Sequence, residues 1–165
     1  TVLVLDADPG SVPLIKGVIG ASFQVLWARS VADATRLLTD RPVSVIVCES
    51  SVAGISTLPL INTLKEQCPE IIVIVHTAER DARAVRRLLN EGQVFRFLTK
   101  PSPVTQLAAM LQLAIGKHRE LLLDPRQQRK YRVQAPSGLH VEEGHPGRAW
   151  QPYATRMRQR YTQPK

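Results

Sequence analysis

The chain has 165 residues and a mass of 18.4 kDa, which is about one ordinary domain with room for an appendage. Apolar residues make up 44% and charged residues 22%, so the chain is neither wholly disordered nor fibrous, and its longest apolar runs fall far short of the ~20 residues a bilayer helix needs. The net charge of +8 points to an acidic partner, yet the excess is local: residues 124–165 carry nine Lys/Arg against three Asp/Glu.

From the start of the chain, short apolar runs rich in β-branched residues alternate with stretches of helical period. The expected strands are Val2 to Leu5, Phe23 to Trp27, Val43 to Val47, Ile71 to Val75 and Val94 to Leu98. They are nearly uniformly apolar rather than alternating, as strands covered on both faces are. Between them the expected helices are Pro9 to Ile19, Val31 to Leu38, Ile55 to Gln67, Glu79 to Asn90 and Pro103 to Leu123. Asp8, Ser30 and Ser102 stand where caps belong, and Gly92 closes the fourth helix. Five successive βα units imply an open, doubly wound parallel sheet, an α/β fold with its site at the carboxyl ends of the strands. The fifth helix carries aliphatic residues through its last turns, so it is expected to continue outward and pair with a partner.

A boundary is expected near Asp124-Pro125, giving a domain over residues 1–123 and a basic tail over 124–165. The tail holds five prolines and three glycines and reads as a linker or docking arm. Its basic residues, interleaved with tyrosines, also support a second reading as a nucleic-acid-binding regulator. Two cysteines, Cys48 and Cys68, cannot build a disulfide framework, and no Cys/His spacing suits zinc. No basic-then-apolar leader opens the chain, and together these features make a reducing cytoplasm the expected home. The first residue is not Met, which suggests a piece of a longer protein or a trimmed chain.

The strand ends would gather Asp6-Ala7-Asp8, Cys48-Glu49-Ser50-Ser51, His76-Thr77-Ala78 and Thr99-Lys100-Pro101 along one sheet edge. These residues, with Val2-Leu-Val-Leu-Asp6-Ala-Asp-Pro9 and Asn90-Glu-Gly-Gln-Val-Phe-Arg-Phe-Leu-Thr-Lys-Pro101, resemble the receiver domain of two-component response regulators from Val2 to about Leu121. The second stretch is similar to a subtype often joined to cyclic-di-nucleotide phosphodiesterases or hybrid kinases. The resemblance implies a flavodoxin-like sheet of order 2-1-3-4-5. It also implies a pocket in which two acidic residues and an acceptor aspartate hold Mg²⁺, while a hydroxyl and a lysine contact the phosphoryl group. Asp6 matches the first acidic position, Ala7 the second and Cys48 the acceptor. Thr77 and Lys100 match the hydroxyl and lysine, and Phe97 the aromatic switch.

Two of three carboxylates are therefore missing, and a thiolate is a poor Mg²⁺ ligand. The expectation is a degenerate, non-catalytic pseudo-receiver with no cofactor and no metal, working by protein contact in a two-component or cyclic-di-GMP-linked pathway. Asp8 and Glu49 are the remaining candidate carboxylates. Asp8 is more simply a cap, and alternation along the strand turns Glu49 away from Cys48 unless the loop rearranges. A phosphate accepted by Glu49 is the weakest reading. Cys48 beside Lys100 could have a lowered pKa and sense redox; an inert buried thiol is the simpler expectation. Lys100 is expected to pair with Asp6, Thr77 to cap the helix from Glu79, and His76 to be structural. Arg80, Arg83 and Arg87 share a face of the fourth helix at i, i+3 and i+7. With Arg96 they form the candidate partner surface, toward a kinase, a cyclic-di-nucleotide enzyme, an output domain or, through the fourth and fifth helices, a second copy.

Overall fold

The computed structural model describes residues 1–91 and 94–129. Five parallel strands form one sheet: β1 (Val2–Leu5), β2 (Val25–Ala28), β3 (Val45–Cys48), β6 (Ile72–Thr77) and β7 (Arg96–Thr99), in the order β2-β1-β3-β6-β7. Between β3 and β6 a small antiparallel hairpin intervenes, β4 (Ser51–Val52) and β5 (Ile55–Ser56). Leaving the hairpin aside, the order is the expected 2-1-3-4-5. The helices are α1 (Ser11–Ile19), α2 (Val31–Asp40), α3 (Leu58–Gln67), α4 (Ala82–Glu91), α5 (Val104–Leu123) and α6 (Pro125–Gln128).

Strand alternation divides the core into two layers. Leu3, Leu5, Ile46, Cys48, Val73 and Val75 face Ala34, Leu38, Ile61 and Leu64 from α2 and α3. On the other face Val2, Val4, Val45, Val47, Ile72 and Ile74 meet Ile15 and Ile19 of α1 and Leu107, Leu111, Ala114 and Ile115 of α5. Each buried aliphatic side chain contributes roughly 1.5–3 kcal/mol through water-free contact. The three central strands are buried at every position. The edge strands are not, because each has a neighbour on one side only; Arg96 and Thr99 of β7 are exposed.

Several boundaries differ from the expectation for local physical reasons. Ile55 is not helical: Ala53 and Gly54 take φ of 52° and 77°, the left-handed pair that a two-residue hairpin turn requires, so Val52 and Ile55 pair across it. Helix α1 starts at Ser11 because the Asp8 carboxylate accepts the Gly10 N–H (2.9 Å) and the Asp8 carbonyl the Ser11 N–H, which makes a turn before the helix rather than its cap. Helix α4 starts at Ala82 rather than Glu79, since the Glu79 carboxylate accepts the N–H groups of Arg80 and Asp81 and Asp81 Oδ1 that of Arg83. Ser30 does cap α2, accepting from Asp33 N–H at 3.1 Å. Ser102 does not cap α5, where Pro103 takes that place.

The fifth helix does not run on. It ends at Leu123, Asp124 caps the next turn through Arg126 N–H, and α6 folds back so that Gln128 Nε2 donates to the Leu121 carbonyl. A proline at position 125 favours this break, because it has no backbone N–H to donate to the preceding turn. The expected boundary at Asp124 coincides with the bend, whereas the expected closing glycine, Gly92, and the tail from residue 130 lie outside the described residues.

Away from the site, Lys65 of α3 is 1% exposed. Its ammonium donates to the Ile71 carbonyl at 2.7 Å, and buried Glu70 lies near enough to favour its charge. Burial outweighs Glu70 and pulls the Lys65 pKa down to about 8. The unfolded chain therefore holds this proton more tightly than the folded one between about pH 8 and the ordinary lysine value of 10.5. Stability should climb across that window with a slope on the order of 1 kcal/mol per pH unit. Denaturant unfolding of the native chain and of Lys65→Met checks this: the climb should be missing from the variant, and equal profiles would exclude it.

Candidate functional site

The pocket lies where the sheet alternation predicts two groups of side chains. Continuing the β1 and β3 registers one residue past Leu5↔Cys48 brings Asp6 beside Glu49, in the same parity as Val4 and Val47. Lys100 follows Leu98 in that parity on β7. Cys48 and Thr77 have the opposite parity, that of Val73 and Val75. The strand ends thus sort Asp6, Glu49 and Lys100 together and leave Cys48 with the core.

The first group forms an ion triad. Lys100 Nζ donates to Asp6 Oδ2 at 2.6 Å and to Glu49 Oε2 at 2.9 Å. The Asp6 carboxylate also accepts the Ser11 hydroxyl through Oδ2 and the Asp8 N–H (2.9 Å) through Oδ1. Burial raises the Asp6 pKa, but hydrogen bonds from Lys100, Ser11 and Asp8 together outweigh it and hold the group below the ordinary 3.8. Burial likewise works against the Lys100 charge, and the two carboxylates override it, raising the ammonium above 10.5. The indole of Trp27, half-buried on β2 and overlain by the Arg29 guanidinium at 5.4 Å, donates to the Asp6 carbonyl at 2.8 Å. The expected Asp6–Lys100 pair is present; Glu49 corrects the expectation that it would turn away.

The second group is joined by hydroxyls. Thr77, fully buried, has its Oγ1 2.9 Å from Ser50 Oγ, and it accepts the Glu79 N–H at 2.9 Å. It orders the turn before α4 rather than capping the helix itself. The Lys100 N–H donates to the Thr77 carbonyl at 2.7 Å, which ties the ends of β6 and β7 together. Cys48 is 1% exposed among the aliphatic residues of the first core layer. Burial pushes its thiol up to about 12, with Glu49 and Asp6 adding to the rise and Thr57 opposing it. The redox-sensing reading required the reverse, a thiol lowered by Lys100 and open to solvent, so the geometry removes its basis.

His76 is buried, with Nε2 3.0 Å from Ser102 Oγ; burial and the Lys100 charge hold its pKa below 6.5. Asp8 is exposed and outside the triad, its carboxylate engaged by Gly10. Phe97 is half-buried against the first core layer. Arg80 precedes α4 and so shares no helical face with Arg83 and Arg87, which are exposed on it together with Arg86. Arg96 is exposed on β7, its guanidinium 4.4 Å from the Phe95 ring centroid. Ser11, Trp27 and Ser50 had no assigned role in the sequence reading. Only Ser50 had a signal, its shared parity with Thr77.

The model of the response regulator receiver domain matches residues 2–112, more than half of the chain. The chain belongs to the response-regulator receiver domain family. It is similar to the hydrogenase transcriptional regulatory protein HoxA of Cupriavidus necator, 31% identical over 101 residues, covering 61% of this chain and 21% of that regulator. The DNA-binding transcriptional regulator NtrC of Escherichia coli is 24% identical over 107 residues, 65% of this chain and 23% of its own length. The matched stretch thus spans only about a fifth to a quarter of these relatives. Among solved structures, the signal receiver domain of an HD domain-containing protein from Pseudomonas fluorescens superposes with a TM-score of 0.67 at 21% identity, covering 72% of this chain and 88% of that one. An adenylate cyclase structure from Rhodopirellula baltica gives 0.67 at 24% identity, covering 78% and 96%. At these identities the structural likenesses bear on the fold, and the receiver fold is the one the topology shows.

Within this receiver the triad should carry a measurable share of stability. Lys100→Met leaves Asp6 and Glu49 facing each other without their shared cation, at a cost of about 1–3 kcal/mol. Its pH signature is separate. Because Asp6 lies below 3.8 when folded, its contribution is full above that value and fades as pH falls through the folded pKa. Because Lys100 lies above 10.5, its contribution fades only as pH rises beyond that. Unfolding followed against pH should show a smaller acid loss in Lys100→Met than in the native chain; an identical acid limb would mean that the triad contributes nothing.

Proposed function

We propose that this receiver domain is a pseudo-receiver: a non-catalytic signalling module that works by protein–protein contact without phosphorylation. The supporting observation is the ion triad in the pocket. Lys100 is already shared by two carboxylates at 2.6 and 2.9 Å, so the ammonium an incoming anion would need is already paired. An anionic phosphodonor gains little from such a pocket. The residue at the acceptor position is a buried thiol raised to about 12, a poor nucleophile while protonated.

The Mg²⁺ that the family implies is a poor match for this donor set. It favours six oxygen ligands in near-octahedral array, whereas position 7 is alanine and position 48 a sulfur. The Asp6 oxygens are engaged by Lys100, Ser11 and Asp8, and one Glu49 oxygen by Lys100. Among the described residues no three His, Cys, Asp or Glu side chains cluster to hold a metal.

Output would pass through contact surfaces. Arg83 and Arg86 on α4 and Arg96 on β7, all exposed, suit an acidic patch on a kinase or an output domain. They suit a second copy less well, because a twofold axis through this face would set like charges against each other. The partial coverage of HoxA and NtrC favours a transcriptional output, fused or docked, over a cyclic-di-nucleotide enzyme. Incubation of the chain with acetyl phosphate and Mg²⁺ should leave its intact mass unchanged; one stable phosphoryl adduct would overturn the reading.

A second reading rests on the basic tail, which has nine Lys/Arg against three Asp/Glu. If residues 124–165 grip nucleic acid, duplex DNA should bind with steep salt dependence and be lost when they are deleted. Binding that survives the deletion, or no binding at low salt, would dismiss it.

A further inference from the structure

The two residues after Cys48 make separate contacts to two different strand ends. Glu49 Oε2 accepts from the Lys100 ammonium at 2.9 Å, and Ser50 Oγ lies 2.9 Å from Thr77 Oγ1. Thr77 in turn accepts the Glu79 N–H, and its carbonyl accepts the Lys100 N–H. Thr57 secures this dipeptide from below, its hydroxyl 2.8 and 2.9 Å from the carbonyl oxygens of Glu49 and Ser50. One dipeptide therefore joins the ends of β3, β6 and β7.

An ammonium and a hydroxyl at one sheet edge are the donors an oxyanion would seek. In this chain the Asp6 and Glu49 carboxylates occupy the ammonium, and the Ser50 hydroxyl engages that of Thr77. We propose that Glu49 and Ser50 form an internal latch. They are positioning residues that engage Lys100 and Thr77, hold residues 77–81 and the segment around Lys100 in one conformation, and close the pocket to free anions. The latch deepens the phosphorylation-independent reading and rests on it.

The test is amide hydrogen exchange on the full chain, native and Glu49→Gln/Ser50→Ala, with and without inorganic phosphate. The Glu79 and Lys100 amides should exchange about tenfold faster or more in the double variant, the loss expected when a charged hydrogen bond and a neutral one are removed together. The core amides of Val73 to Val75 should keep their native rates. Phosphate should restore protection at Glu79 and Lys100 in the variant and leave the native chain unaffected. Restoring a carboxylate and a hydroxyl with Glu49→Asp/Ser50→Thr should recover part of the protection without phosphate.

Unchanged exchange at Glu79 and Lys100 would overturn the latch. So would an equal acceleration at Val73 to Val75, which marks a general loss of stability. Phosphate protection of the native chain, or none in the variant, would overturn the claim that the latch occupies the anion donors. If the double variant does not fold, Glu49→Gln alone should loosen Lys100 and Ser50→Ala alone Glu79, with the same outcomes deciding. A phosphoryl adduct on the native chain would instead refute the parent reading, whatever the exchange rates.

Discussion

One ammonium shared by two carboxylates organises the functional edge of this receiver. Lys100, Asp6 and Glu49 come from the ends of three strands, and their side chains are 21%, 8% and 17% exposed. At such burial neither acid would be tolerated easily beside the other without the cation between them. The Lys100 position is in turn set by the Thr77 carbonyl that holds its backbone N–H. Charge balance and backbone pairing therefore meet at Lys100, while Thr77, which holds the Lys100 N–H, also accepts the Glu79 N–H before α4.

The alternation that builds the core also decides which groups can meet in the pocket. Positions 2 and 4, 45 and 47, and 72 and 74 supply one layer; 3 and 5, 46 and 48, and 73 and 75 supply the other. Carried one or two residues past the strand ends, the same parity groups Asp6 with Glu49 and Lys100, and Ser50 with Thr77. Cys48 has the parity of the first layer, and as a small apolar side chain it remains there. An aspartate at that position would need the pocket's water or cation to offset its charge. A thiol needs neither, so the charge requirement passes to residue 49.

The sheet was legible because burial on both faces demands uniformly apolar runs, and β1, β3 and β6 are such runs. Edge strands were less sharply bounded, since partial exposure relaxes that demand; Phe23 and Val94 are apolar yet precede their strands. The hairpin at 51–56 was missed because Ala53-Gly54 is not a strong turn signature, and Val52 and Ile55 also fit a helical spacing. Helix starts were misplaced wherever an Asp or Glu bonded backbone N–H groups one or two residues ahead, as Asp8, Glu79 and Asp81 do. In the site, Asp6, Thr77 and Lys100 were recognisable from their places at strand ends. Glu49 does alternate away from Cys48, and that same alternation sets it beside Asp6 and Lys100. Trp27 reaches Asp6 only through tertiary placement, which no local pattern encodes, and Ser11 only once the turn between β1 and α1 brings it back.

A pocket whose donors and acceptors are matched internally leaves little free energy for an added ligand to use. A ligand shifts a two-state equilibrium only as far as it prefers one state over the other, and here the contacts it could improve are already made. Strand β7 joins this pocket to the surface: Phe97 packs on the first core layer, Leu98 on the second, and exposed Arg96 lies over the Phe95 ring. A partner that engages Arg96 and the exposed arginines of α4 presses on the same strand whose continuation carries Lys100. Coupling would then run from the protein surface toward the triad, the reverse of the direction that chemistry at residue 48 would give.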